Sequence, residues 1–289
     1  MTAAAPPPPG GTLDLPRLTA TRYVQPLREG GTLPAVVDTH GGGLFVAKFR
    51  GAGQGAKALV AELVVGLLAR AAGLPVPELA LIELLPDFGR SEPDPEIQDL
   101  LRASEGVNVG LRYLDGAFNF DARAAGDMVS PALAARIVWL DAFTTNPDRT
   151  GRNANLLVWD HRLWLIDHGA ALYAQHNWPG VDEARTRTPF PLIRDHVLLP
   201  LSGSLEEADA ELAALFTDER IAAILRLVPD ELWEDPALAA DFPSAAAARE
   251  RYGAYLTTRL REPRAFVAEA VEARERRLRE PPRPLSSRR

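Results

Sequence analysis

The sequence predicts an α+β protein of two lobes, a small strand-rich one followed by a larger helical one. Short apolar runs punctuated by Gly and Pro fill the first third, and helical periodicity runs from about residue 205 to 280. No repeating strand–helix–strand alternation joins the two parts, which argues for two lobes rather than a doubly wound parallel sheet. The length of 289 residues, 46% of them hydrophobic, allows one large domain or two lobes with a real core. The expected division is a Pro-rich, disordered leader (1–15), a first lobe (16–107), a crossover (108–116), a helical second lobe (117–280) and a basic tail (281–289).

The leader MTAAAPPPPGG has neither the basic start nor the apolar stretch of a signal peptide. LPAVVDT and LFVAKF read as two strands around a HGGG turn between residues 33 and 50. KALVAELVVGLLARAA (57–72) is a helix stopped by Gly73. ELALIELL is a further strand, and SEPDPEIQDLLRASEG (91–106) a polar loop with a short helix. VNVGLRYLDG (107–116) crosses between lobes. SPALAARIVWLDAFTTN (130–146) is a helix with Ser130 as N-cap and Pro131 at its first position. LLVW and LWLI form a hairpin around Asp160-His161-Arg162.

Composition narrows the chemistry. Without cysteine there are no disulfides and no thiolate chemistry, in keeping with a cytoplasmic protein. A net charge of −7 suits nucleic acid poorly, so no nucleic-acid partner is expected. No run of 18 apolar residues marks a membrane-spanning helix, so no membrane partner is expected either. Of 32 basic residues only Lys48 and Lys57 are lysines. In a chain that has chosen Arg almost everywhere, a compact, flexible ammonium is there for its own chemistry.

NPDRTGRN (146–153) and LWLIDHG (163–169) carry the strongest signal. Asn, Pro, Asp and Gly also make ordinary turns, but Asp148, Asn153 and Asp167 keep the spacing of a phosphoryl-transfer site. Mg²⁺ takes oxygen ligands and few of them from protein. Asn153 and Asp167 supply such a pair, and Asp148 is left to orient and deprotonate a hydroxyl. Lys48, on a strand apolar enough to be buried, needs a partner, and Glu62 on the next helix is the natural one. Gly30, Gly31 and Thr32 in REGGT offer backbone N–H groups to phosphates, and Tyr113 and Leu114 in the crossover are the remaining candidate nucleotide contacts. GAGQGA (51–56) competes, because it fits a G-x-G-x-x-A dinucleotide loop, with Glu78 or Glu83 near the acidic position. That reading leaves Lys48 in a central strand and gives NPDRTGRN and IDHG no task.

NPDRTGRNANLL…LWLIDHG, with LFVAKFRGAGQGAKALVAE and LARAAGLPVP, resembles the HipA-like kinases. These are bacterial serine/threonine kinases with a two-lobed, protein-kinase-like fold distantly similar to the lipid kinases. The resemblance covers about residues 20–260. It implies Asp148 as catalytic base, Asn153 and Asp167 as Mg²⁺ ligands, and Lys48 as the phosphate-binding lysine paired with Glu62. Two positions depart from the family pattern: Thr150 stands where His is usual, and the middle of Asp167-His168-Gly169 is not Phe. The chain has no room for the N-terminal domain of full-length HipA toxins and resembles a short, stand-alone branch; a toxin role and an antitoxin partner do not follow. The expected activity is transfer of the γ-phosphate of ATP, with Mg²⁺, to a hydroxyl, with protein Ser/Thr inherited from the resemblance and a small-molecule acceptor also open. The alternatives are a nucleotide-binding pseudokinase scaffold and a dinucleotide-dependent enzyme using GAGQGA.

Overall fold

A computed structural model of the protein describes residues 13–27, 33–53, 55–90, 92–122, 124 and 128–279. The basic tail, most of the leader, and Gly30, Gly31 and Thr32 lie outside the described residues.

The first part is a closed barrel. Its strands are β1 (Arg17–Pro26), β2 (Ala35–Thr39), β3 (Gly43–Lys48), β4 (Leu79–Leu84) and β5 (Gly106–Arg112), in the order β1-β2-β3-β5-β4. All pairings are antiparallel except that of β1 with β4. β1 was not foreseen. Its RLTATRYVQP fully buries only Ala20, so it lacks the apolar alternation by which a strand is read.

The expected crossover needs correcting at its start. Residues 106–112 are a barrel strand, hydrogen-bonded to β3 on one side and β4 on the other, and the chain leaves the barrel only after Arg112. Asn108 and Gly110 interrupt the apolar pattern and hid the strand. Asn108 is fully buried and satisfied. Its amide donates to the carbonyls of Ser104 (2.8 Å) and Gly106 (3.0 Å), and its oxygen accepts from Arg50 N (2.8 Å). Gly110 is required by space, because a Cβ there would lie 2.5 Å from Ile82 Cγ1.

Helix α1 (Gly55–Ala71) is apolar on every side and buried almost throughout, as expected of a helix enclosed by protein rather than lying on a surface. Its apolar residues share one continuous core with those of the helical part, including Trp139 and Phe143, whereas the barrel interior (Ala35, Val37, Phe45, Ala47, Ile82) is a separate, smaller cluster. After α2 (Pro95–Ala103) the chain adds a three-stranded sheet of β6 (Phe118–Asn119), β7 (Leu156–Trp159) and β8 (Arg162–Leu165). The β7–β8 turn has φ of +50° at Asp160 and +56° at His161, the two left-handed residues that a tight hairpin needs.

Helix α3 (Pro131–Phe143) starts as expected, with Ser130 Oγ accepting from Leu133 N (3.2 Å). The rest is helical: α4 (Glu183–Thr186), α5 (Leu205–Leu215), α6 (Asp218–Leu227), α7 (Asp230–Trp233), α8 (Pro236–Ala239), α9 (Ala245–Leu260) and α10 (Ala265–Arg279). A strand-rich first part followed by a helical second part is the α+β arrangement that the sequence predicts. Among the described residues no helix is long and apolar enough to cross a membrane.

Gly110→Val tests the barrel. Overpacking against Ile82 should cost about 1–3 kcal/mol of stability, read as a lower urea midpoint with unchanged slope.

Candidate active site

Lys48 ends β3 on the face opposite buried Phe45 and Ala47, so its side chain leaves the barrel towards α1. Nζ donates to Glu62 Oε2 and to Asp167 Oδ1, both at 2.6 Å. Glu62 is fully buried, and the same Oε2 accepts from the backbone N of His168 (2.7 Å). Desolvation favours neutral Lys48, yet the two carboxylates outweigh it and hold its pKa above the ordinary lysine value. Burial likewise acts to raise Asp167, but the Lys48 charge and hydrogen bond hold its carboxyl below the usual range.

Asp167 follows the end of β8 with φ +55°. A non-glycine residue pays about 1–2 kcal/mol for this region. Thr145, Asn155 and Leu172 share the left-handed conformation, so strained backbone gathers on the segments carrying these acids and amides, a pattern common at functional sites.

Asp148 Oδ2 accepts from the amides of Asn153 (2.9 Å) and Asn155 (3.0 Å). Its Oδ1 meets no donor among the described residues. Asn155 escaped the sequence reading, although it lies two residues past NPDRTGRN. Asn155 O accepts from Ile166 N (3.1 Å), which ties the Asp148 loop to the residue preceding Asp167. Asn153 and Asp167 share no direct hydrogen bond.

Arg149 does not reach outwards. It is buried; Nε donates to Asp141 Oδ2 (2.5 Å), Nη1 to the carbonyls of Asn155 and of Ile166 (3.3 Å), and Nη2 to His168 Nδ1 (3.2 Å). Asp141, fully buried on α3, also receives the Asn146 amide at 2.9 Å and His196 Nε2 at 2.9 Å. Leu198 N donates to His196 Nδ1 (3.1 Å), so the His196 proton sits on Nε2 and points at Asp141. Burial would raise the Asp141 carboxyl, but Arg149 and His196 overcome it and hold it far below the ordinary range. Burial pushes His168 down to about 3, with Arg149 adding to the effect, and it lowers His196 too, although Asp141 pulls the other way. Both imidazoles are therefore neutral near pH 7. Asp141 is a lone acid in a largely apolar helix, and His196 follows Arg194-Asp195 far along the chain from the motif, so neither stands out in the sequence. His196 enters beneath the loop through the bridge Thr150–His196 and the bond Val197 N to Arg149 O (3.0 Å).

A cleft opens beside Lys48 and Asp167, bounded also by Ala52, Gly55 and Gly169, so the GAGQGA loop forms part of its wall. Tyr113 and Leu114 are not on this wall; Tyr113 N donates to Leu44 O (3.0 Å), and Leu114 is buried. Gly30, Gly31 and Thr32 lie outside the described residues. Both strands flanking β3 run antiparallel to it, so GAGQGA lacks the parallel surroundings of a dinucleotide loop.

The donors suit a hard cation. Because the Asn153 amide nitrogen points at Asp148, its Oδ1 is the atom left for a ligand, and Asp167 keeps Oδ2 free of Lys48. Among the described residues no group of three or more His, Cys, Asp or Glu could hold a metal. One amide and one carboxylate oxygen are what Mg²⁺ takes when phosphate and water complete its shell.

The profile of the family described as HipA-like kinase matches residues 21–181, more than half of the chain. The chain belongs to the HipA-like kinase family. Lys48, Glu62, Asp148, Asn153 and Asp167 all fall within the matched span. No curated protein sequence matches it. Among solved structures, the crystal structure of a Helicobacter pylori proinflammatory kinase, CtkA, is similar at 12% identity and a TM-score of 0.49, covering 92% of this chain and 100% of that one.

The buried imidazoles set a pH dependence. With His196 below its ordinary value in the folded state, the unfolded chain takes up a proton first as pH falls through about 6.5. Stability should therefore decline from pH 6.5 to 5, and the decline should be shallower in His196→Asn, measured by denaturant unfolding at each pH.

Proposed function

We propose that the protein is an ATP- and Mg²⁺-dependent phosphotransferase whose acceptor is a hydroxyl, in the first place a Ser or Thr of a protein. The observation that carries this reading is Lys48, held between Glu62 and Asp167 at 2.6 Å each, on the same wall as Asp167's free oxygen. Glu62 fixes the lysine stem so that the ammonium faces the cleft, where it binds phosphate oxygens. Asn153 Oδ1 and Asp167 would hold Mg²⁺, which supplies charge neutralisation between the phosphates. Asp148 Oδ1 accepts the acceptor's hydroxyl proton as that oxygen bonds to the γ-phosphorus and the bond to the diphosphate breaks. The amides of Asn153 and Asn155 keep the carboxylate facing this way. The pseudokinase alternative predicts MgATP binding without turnover.

Thermal stabilisation by ATP and by NAD(H), with and without Mg²⁺, tests the ligand class. A ligand at about a hundred times its Kd adds about 2.7 kcal/mol, and the shift should appear with ATP, strengthen with Mg²⁺ and be absent with NAD(H). In Asp167→Asn the Mg²⁺-dependent increment should vanish; an unchanged increment removes Asp167 from the metal. Asp148→Ala should lower turnover by about 10²–10⁴, and turnover within about threefold of wild type would refute Asp148 as the base.

A further inference from the structure

The second lysine of the chain has no part in the chemistry above, and its surroundings give it another. The loop between β3 and α1 forms one wall of the cleft through Phe49 and Ala52, joined by Gly55 at the start of the helix. Between Arg50 and Lys57 it carries only Gly and Ala besides Gln54, which lies outside the described residues. Among its described residues from 51 to 56 only Gly and Ala side chains are available to hold a position, and Gly backbone is the most costly to order.

Both flanks are instead tied to a single short stretch of the helical part. Arg50 Nη2 pairs with Asp235 Oδ2 at 2.5 Å. Lys57 Nζ pairs with Asp241 Oδ2 at 2.7 Å and donates to Gln175 O at 3.1 Å. Gln175 lies in the segment that follows Asp167-His168-Gly169. These pairs are only about one-fifth exposed, unlike Arg17–Glu231, which is nearly half exposed. Asp235 is itself fixed, because its other oxygen caps α8 by accepting from Ala237 N (3.0 Å). At its start the loop also touches the residue that caps the C-terminus of α2: Gly51 N donates to Ser104 Oγ (3.1 Å).

We propose that Lys57 with Asp241, and Arg50 with Asp235, are positioning pairs that clasp this loop against the cleft and so set the affinity for the MgATP phosphates. The inference rests on the phosphotransferase reading and extends it to residues that touch neither nucleotide nor metal. Lysine suits the position, because a single point charge must meet one carboxylate and one backbone carbonyl, which a planar fork would not do.

The test is a charge-swap cycle on the full chain, with MgATP affinity read by calorimetry and turnover alongside. Lys57→Met and Asp241→Asn should each weaken MgATP binding about fivefold, the upper range for a partly exposed ion pair, with kcat little changed. The swap Lys57→Asp with Asp241→Lys restores the ion pair but not the bond to Gln175 O, so it should recover part of the loss, and the double variant should bind more tightly than either single charge reversal. Arg17→Ala should have no effect on affinity. Raising salt should weaken MgATP binding more in wild type than in the Lys57→Met, Asp241→Asn double variant. Hydrogen exchange of residues 50–57 without nucleotide reads the clasp separately: Lys57→Met should speed exchange at Gly51, Ala52 and Gly55, and the swap should slow it again. Unchanged affinity in the single variants, or unchanged exchange, overturns the clasp. Wild-type protein that binds no MgATP overturns the phosphotransferase reading, and the exchange result still stands or falls by itself.

Discussion

Three separate parts of the chain meet at one ammonium group. Lys48 comes from a barrel strand, Glu62 from the buried helix after it, and Asp167 from a turn more than a hundred residues on, and Nζ is within 2.6 Å of both acids. Neither Lys48 nor Glu62, buried as they are, is tolerable alone. A buried ammonium needs a counter-charge and a fully buried carboxylate needs a donor. The backbone N of His168 completes the arrangement by donating to the same Glu62 oxygen. The sharing couples the Asp-His-Gly turn to α1, so the position of one acid constrains the other.

A second buried charge, Asp141, supports the opposite side of the site. It contacts no part of the cleft, yet it fixes Arg149, Asn146 and His196 beneath the loop that presents Asp148. Arg149 then clamps the carbonyls of Asn155 and Ile166, which brings the Asp148 loop and the Asp167 turn into register. The short Asp148–Asn153 loop, rich in polar groups, would otherwise be free to adopt several turns. Its single shape comes from hydrogen bonds within the loop, such as Asn153 to Asp148, together with the ion pair of Arg149 and Asp141 below it.

Much of this was legible in the sequence, for identifiable reasons. Asp148 and Asn153 meet in the fold, as their spacing suggests, because the loop is a local structure. The Lys48–Glu62 pair was legible because a charge on an apolar strand demands a nearby partner. What was not legible depends on contacts distant in the chain. β1 gains its place by pairing rather than by burying an apolar face, β5 is interrupted by an asparagine whose oxygen is satisfied by the distant backbone of Arg50, and His196 becomes meaningful only when folded against Thr150. Arg149 lies within the motif in the sequence, and three-dimensional packing turns it inward, onto Asp141 and the carbonyls of Asn155 and Ile166.

The placement of α1 reaches beyond the site. It precedes the barrel's last strands in the chain, yet its Leu and Val side chains belong to the core of the helices that follow. The strand-rich and helical parts are thus not interchangeable modules. A cut after Arg112, where the chain leaves the barrel, would strip the helical part of a central apolar element and leave the barrel fragment exposing a wholly hydrophobic helix, a species prone to aggregate. Recombination between relatives should accordingly keep residues 55–71 with 131–279 from the same parent, since complementarity between those surfaces, rather than continuity of the chain, defines the inheritable unit.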